Sequence, residues 1–408
     1  MPQKRVVLSK CHLIDPGNID TFLAHDGFKA LARARQMTPN GVIDVVKASK
    51  LLGRGGAGFS TGLKWEFARR TEGDEKFVVC NADEGEMGTF KDRVILQKDP
   101  FTLIEAILIA AYAVGAKRAY IYLRGEYGYL RGHVERAIEA AGSKGFLGDT
   151  RVDIIVGAGA YVCGEETALM NSIEGRRGEA RCKPPFPPQS GLWGSPTIIN
   201  NVETLMNIPP IILNGAEWFT RIGTLGSTGT KVFSISGDVA KPGVYELELG
   251  SSLSELLELA GAKNVKMVQV GGAAGRMIPG SDVTIVLSFE TVLGSGAVMV
   301  YNQSRDVIDI VSRTMRFFAD ESCGKCTPCR EGTEAVVEIM DRLATGQAAP
   351  GDIAVLEDLS ATMSAASLCG LGQAAPMEVE DTLKHFRREY EIRVEQSMLV
   401  RSLGGMRR

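Results

Sequence analysis

The chain has 408 residues, 44% of them hydrophobic and 23% charged, with a net charge of −3. That is the composition of an ordinary soluble globular protein, and its length predicts two or three domains. The weak negative balance excludes the basic footprint of a nucleic-acid binder. No apolar run reaches the roughly 18 residues of a membrane span. The opening MPQKRVVLSKCHLIDPGN lacks both a signal-peptide core and a transit-peptide composition. The expected location is the cytoplasm, without direct membrane insertion.

The first forty residues read as mostly irregular, with a helix around Phe28 to Gln36. TPNGVIDVVKASKLLG reads as a helix ending at Gly53. LLGRGGAGFSTGLKW then carries Gly53, Gly55 and Gly58 in G-x-G-x-x-G spacing. That pattern marks a Rossmann unit only where a strand feeds it and a helix follows. Here a helix feeds it, so the Rossmann reading fails. KFVVCNADE, RAYIYLRGE and VDIIVGAG read as strands, with PFTLIEAILIAAYAVGA and EYGYLRGHVERAIEAAG as helices between them. Such alternation predicts a mainly parallel α/β sheet. The acids of NADEGE directly after an apolar strand mark a crevice site in such a sheet.

A further helix is expected near Gly164, in GEETALMNSIEG. From Arg176 to Pro210 the composition shifts to Pro, Gly and Asn, which predicts a long functional loop with little regular structure. KVFSISGDV, GVYELELG, VKMVQVGG and VTIVLSF read as short strands around the helix SLSELLELAG, a small α+β module. From Ser304 onward the pattern is helical.

Eight cysteines lie at 11, 80, 163, 182, 323, 326, 329 and 369. Cys323, Cys326 and Cys329 form C-x2-C-x2-C, with Cys369 as a distant fourth. Tight spacing plus one remote thiolate suits the corners of an iron–sulfur cubane, with a structural zinc site as the alternative. The helix after the cluster loop turns its positive end toward the thiolates. The other four cysteines read as packing or loop residues. Cys163 has no His in its segment to activate it, so a covalent cysteine mechanism is not expected.

Five stretches, GRGGAGFSTGLKW, NADEGEMGTFKDR, GAGAYVCGEETALMNSIEG, KPPFPPQSGLWGSPTIINNVET and ESCGKCTPCREGT with its later CGLG, run in this order from Gly53 to Gly372. Together they resemble the NADH-oxidising flavoprotein subunit of respiratory complex I. Diaphorase subunits of NAD-linked hydrogenases and formate dehydrogenases share that family. The resemblance implies a non-Rossmann α/β domain for FMN and NADH over residues 1–227. A ubiquitin-like (β-grasp, soluble-ligand-binding) module would follow over 228–303, then a four-helix bundle with a [4Fe–4S] cluster over 304–408.

Matched by motif, Gly53, Arg54, Gly55, Lys64, Asn81, Asp83, Glu84, Tyr161, Gly164, Glu165, Asn200, Asn201 and Thr204 would hold FMN. Phe59, Phe67, Glu86, Glu166, Lys183 and Phe186 would hold NADH, and Cys323, Cys326, Cys329 and Cys369 the cluster. The resemblance implies hydride transfer from NADH to FMN, with no side chain as acid or base and with Glu84 and Glu165 tuning the flavin. Single electrons would then pass to the cluster and on to partners. Those would be a small thioredoxin-like [2Fe–2S] subunit and a larger iron–sulfur or catalytic subunit, in a complex peripheral to the inner membrane. Two departures, Ser60 in place of a common Pro and EGEMGT in place of ESEPGS, bear on nucleotide affinity and on NADH-versus-NADPH preference.

Overall fold

A computed structural model describes residues 3–405. After two short helices, Ile19–Ala24 and Lys29–Gln36, helix α1 spans Pro39–Ala48. It ends five residues before Gly53, because Lys50 takes a left-handed φ of 55°. Leu52 then bridges Ser60 across the glycine loop. Helix α2 (Thr61–Arg70) follows, and the Ser60 hydroxyl accepts from the Leu63 amide at its start. A serine here thus has a capping role of its own.

Strand β1 (Phe77–Ala82), helices α3 (Lys91–Lys98) and α4 (Pro100–Val114), strand β2 (Arg118–Leu123), helix α5 (Arg131–Ser143) and strand β3 (Arg151–Val156) come next. Helix α5 begins later than its sequence segment implied, since Gly125–Leu130 is a 3-10 turn. Helix α4 is apolar on every face and buried almost throughout, as a central helix must be. It is bounded by Asp99, which accepts from Thr102, by Pro100 in the first turn, and by Gly115 at φ 84°.

Helix α6 (Glu166–Ile173) leads into the Pro/Gly/Asn-rich stretch, which is less irregular than expected. Thr197–Asn201 forms strand β4, followed by the short helix α7 (Val202–Met206). The strand is only five residues long and its Pro and Asn flanks hide the apolar core of the run. The four strands are parallel in the order β3-β2-β1-β4. The chain therefore moves outward from β1 through β2 to β3 and returns on the other side of β1. That reversal opens a crevice beyond the carboxyl ends of β1 and β4.

A second, mixed sheet contains β5 (Thr230–Gly237), β6 (Gly243–Glu248), β7 (Val265–Val270), β8 (Arg276–Pro279) and β9 (Ala297–Asn302), ordered β6-β5-β9-β7-β8. Helix α8 (Leu253–Ala260) carries a full capping box, Ser252 with Glu255. VTIVLSF is not one of the strands. It makes only isolated bridges, and its Leu287 plugs the module's core from a loop. Its backbone instead ties down the approach to α8, with the Leu253 amide bonded to the Ile285 carbonyl and the Leu287 amide to that of Ser251. Strands β8 and β9 take its place in the sheet.

Helices α9 (Val307–Glu321), α10 (Thr327–Ala344), α11 (Asp352–Ala366) and α12 (Met377–Gly405) make the terminal bundle. A Cβ on Gly332 of α10 would come within 2.6 Å of Met363 of α11, so glycine sets their close approach. Among the described residues no helix is long and apolar enough to cross a membrane.

The N-terminal segment is pinned by one buried side chain. Glu246 of β6 accepts from the amides of Val6, Val7 and Leu8, each at 2.9 Å, and from the Thr230 hydroxyl at 2.5 Å. Glu246→Ala leaves four donors without an acceptor, and we expect a loss of about 3 kcal/mol in a urea melt. A loss below about 0.5 kcal/mol would mean that the segment is not anchored this way.

Candidate functional site

The crevice collects residues from the strand ends and from the segments that follow them. Asn81 and Asn201 are register partners at the ends of β1 and β4. Asn81 donates to the Gly164 carbonyl at 2.9 Å and so ties β1 to the segment after β3. Asn200 accepts from the indole of buried Trp65 at 2.9 Å, which fixes α2 over β4. Asn201 donates to Asp92 at 2.6 Å. The Thr204 hydroxyl accepts from the Arg54 amide at 2.8 Å, holding the glycine loop down on α7. A Cβ on Gly55 would lie 3.0 Å from that of Asn201, which closes this approach to larger residues.

The charged residues divide into two groups. Arg54 is fully buried, and its guanidinium donates to the Leu52 and Thr228 carbonyls. Its amide, not its side-chain charge, faces the loop's polar partners. Glu84 is buried too. It accepts from the Asp92 and Arg93 amides at 2.8 and 3.0 Å, capping α3, and from the Tyr127 hydroxyl at 3.0 Å. Burial, aided by Asp92, pushes its carboxyl up to about 7.

Lys64, Glu165, Glu166 and Lys183 form an open chain of charge. Lys64 lies 3.2 Å from Glu166, and Lys183 lies 2.8 Å from Glu166 and 2.9 Å from Glu165. Burial opposes ionisation of Glu166, yet Lys64 and Lys183 hold it below the usual carboxylate range. Glu165 caps α6 through the Thr167 and Ala168 amides. Glu86 accepts from the Tyr161 hydroxyl at 2.8 Å, and burial raises it to about 7. Phe59, Phe67 and Phe186 are 50%, 47% and 50% exposed. They are therefore not part of the buried core.

The three cysteines of the C-x2-C-x2-C run and the distant Cys369 line one small cavity, together with Val162, Ser322 and Leu371. Among the described residues no three His, Cys, Asp or Glu converge on a single ion. The four thiols thus face one shared space, as the corners of a cubane must. A Cβ on Gly372 would meet that of Cys329 at 2.8 Å. The Leu371 and Gly372 amides hydrogen-bond Cys369 and favour its thiolate, although burial, the larger effect, raises the thiol. The cysteine loop is strapped to the crevice side of the molecule. Arg177 donates to the Cys323 carbonyl at 2.7 Å, and Lys325 to the Ala180 carbonyl at 2.8 Å.

Sequence reasoning missed several contributors. Lys91, Asp92, Glu203 and Lys231 form a buried ionic network beneath the crevice, with Lys91 2.7 Å from Asp92 and 3.0 Å from Glu203. Arg124 donates to the Glu84 carbonyl. In a sequence such charges read as solvated, and only their position inside FKDR and NNVET hinted otherwise.

Three family models match: the Nuo51 FMN-binding domain over residues 46–210, the SLBB domain over 232–279, and the NADH-ubiquinone oxidoreductase-F iron-sulfur binding region over 309–393. The chain is 43% identical to the F 2 subunit of the NADH-quinone oxidoreductase of Rhizobium meliloti, covering 96% of this chain and 98% of that protein. It is also 43% identical to the NADP-reducing hydrogenase subunit HndC of Solidesulfovibrio fructosivorans, covering 96% and 84%. A crystal structure of an NAD+-reducing [NiFe]-hydrogenase superposes with a TM-score of 0.87 at 41% identity. That match covers 90% of this chain and 64% of the hydrogenase chain, which carries further sequence beyond it. A flavin- and iron–sulfur-binding α/β protein is therefore the class that the fold and site define. The chain belongs to the family of NADH-oxidising flavoprotein subunits that includes the F-type subunits of NADH-quinone oxidoreductases and the corresponding hydrogenase subunits.

The crevice residues fit a flavin by one further observation. Asp83 Oδ2 is buried without a hydrogen-bond partner, a polar atom left for a bound group to meet. Burial raises Asp83 from 3.8 to about 7. The folded protein therefore holds this proton while the unfolded chain releases it. Its stabilising contribution is whole below about pH 4 and is lost as pH rises through about 7. Asp83→Asn removes that falling limb. Between pH 5 and 8 the cofactor-free variant should lose less stability than the parent, by about 1 kcal/mol or more in paired denaturant melts. Parallel pH profiles would contradict the assignment.

Proposed function

We propose that the chain is the NADH-oxidising subunit of a multi-subunit NAD-linked oxidoreductase, with the crevice as nucleotide site and the cysteine cavity as the way out for electrons. The observation that carries this reading is the junction of the two. The four-cysteine cavity is bounded by Val162 and Ala180, residues that flank the crevice carboxylates Glu165 and Glu166. When bound, FMN supplies a two-electron hydride acceptor and the [4Fe–4S] cluster a one-electron carrier.

The protein's part is orientation and electrostatics. Amides of the Gly53–Gly58 loop, with Asn200, Asn201 and Thr204, line a cradle for a phosphate and a polar ring edge. Phe59, Phe67 and Phe186 offer apolar faces to a stacked nucleotide. Lys64 and Lys183, each already facing a carboxylate, can exchange that partner for the nucleotide's polar groups. Glu165, with Glu84 to the extent that it ionises, puts negative charge by the flavin and opposes its over-reduction.

The relatives are named as subunits of quinone oxidoreductases and hydrogenases, which supports a multi-subunit setting. Within it, a small thioredoxin-like [2Fe–2S] protein and a larger iron–sulfur or catalytic subunit are the expected partners. Affinity purification of the native complex with subunit identification separates a quinone-linked assembly from a hydrogenase or formate-dehydrogenase one.

The anaerobically purified chain should hold one flavin, with iron and sulfide in equal amounts, and should reduce ferricyanide with NADH. Zinc without iron, or no bound FMN, would overturn the reading. Phe67→Ala should raise KM for NADH about tenfold, the worth of one stacked base, with flavin content unchanged. Cys369→Ser should abolish the cluster's EPR signal while NADH:ferricyanide turnover persists. Loss of turnover in step with the signal would mean that hydride acceptance is not separate from the cluster.

A further inference from the structure

Tyr161 is the side chain on which the three parts of the molecule meet. Its hydroxyl donates to Glu86, whose other oxygen accepts from the Ala274 amide of the ubiquitin-like module at 3.4 Å. Its ring meets Phe317 and Phe318 of α9 edge-on, with centroids 5.1 and 6.4 Å away. Its backbone amide donates to Glu321 Oε2 at 2.8 Å. Glu321 is the last residue of α9 and stands two residues before Cys323.

The location of this carboxylate is electrostatically awkward. The last turn of α9 holds no basic residue, and a negative charge there opposes the helix dipole. The four cysteine sulfurs of the adjacent cavity would add further repulsion once they ligate a cluster as thiolates. A neutral acceptor would satisfy the amide at lower cost, so helix stability does not account for a glutamate here. The charge reaches the crevice side as well. After burial, Arg124 and Glu126, Glu321 is among the groups that bear on Asp83.

Resting on the reading of the chain as a flavin-to-cluster electron carrier, we propose that Glu321 is a positioning residue for that transfer. Through the Tyr161 amide it fixes the cysteine loop against the floor of the flavin crevice, and its negative charge between the two sites lowers the potential of the cluster. The residue touches neither the nucleotide platforms nor a thiol in an acid–base role. It acts through Tyr161 and through the field at the cavity.

The test uses the full chain loaded with FMN and cluster, as parent, Glu321→Gln and Glu321→Ala. Glutamine keeps an acceptor for the Tyr161 amide and removes the charge. The expected result is a raised cluster midpoint potential in a chemical titration and an altered EPR line shape, with the melting temperature equal to the parent's or higher. Alanine removes the tether as well. Bleaching of the cluster by NADH should then slow about tenfold, the worth of a hydrogen bond to a charged group, while NADH:ferricyanide turnover is retained. Parental potentials together with parental bleaching rates in both variants would overturn the proposal. So would a lowered melting temperature with the potential unmoved, which marks a purely structural role. If NADH does not bleach the parent's cluster, the functional reading fails instead, and the chemical titration still decides the charge effect of Glu321.

Discussion

Glu203 is an ionised carboxylate with no exposure to water, and the arrangement around the crevice depends on how its charge is met. Burial alone would push its carboxyl up, yet Lys231 and Lys91 hold it below the usual range. Lys231 comes from the first strand of the ubiquitin-like module and Lys91 from the start of α3. Glu203 itself follows Asn201 by two residues and also accepts from the Val232 amide at 2.8 Å. One buried anion therefore locks α7, α3 and β5 into a single relation. Removing either lysine would leave an uncompensated charge inside the protein, a far larger penalty than the pair's net stabilisation.

From that lock the crevice follows. Asp92, paired with Lys91, takes the amide of Asn201, and the backbone of Asp92 is held by Glu84. Asn201 packs against Gly55, and Thr204 holds Arg54. Polar groups at the mouth are oriented by charges beneath it, not by the loops that carry them. Irregular stretches such as 176–196 can then serve as walls without regular structure of their own. Arg181 anchors that segment through Asn171 and Glu174, both at 2.8 Å.

The iron–sulfur side uses a different device. The bundle's apolar core is continuous with one face of the flavin-domain sheet, where Phe77, Val79 and Tyr122 belong to the same buried cluster, and Arg177 and Lys325 tie the open cysteine loop to that domain. The separation of the two redox sites is thus set by a shared apolar core as well as by these polar contacts. Electron transfer between fixed carriers needs little more from a protein than this: closeness, exclusion of water and a suitable field.

The chain order of strands and helices, the failed Rossmann context of Gly53 to Gly58 and the cysteine spacing were all legible in the sequence, because periodicity and short motifs are local properties. The motif resemblance gave the family and, as expectations, the residues of the site. Tertiary structure decided what those local signals do not encode. Strand β4 exists because β1 offers its open edge, whereas VTIVLSF loses its strand because its backbone is spent on the approach to α8. Arg54 and Lys64 look alike as loop cations, yet one is buried under carbonyls and the other reaches the charge chain of Glu166. Burial and partner choice are long-range properties. They depend on which segment arrives opposite, and no window of the sequence contains that.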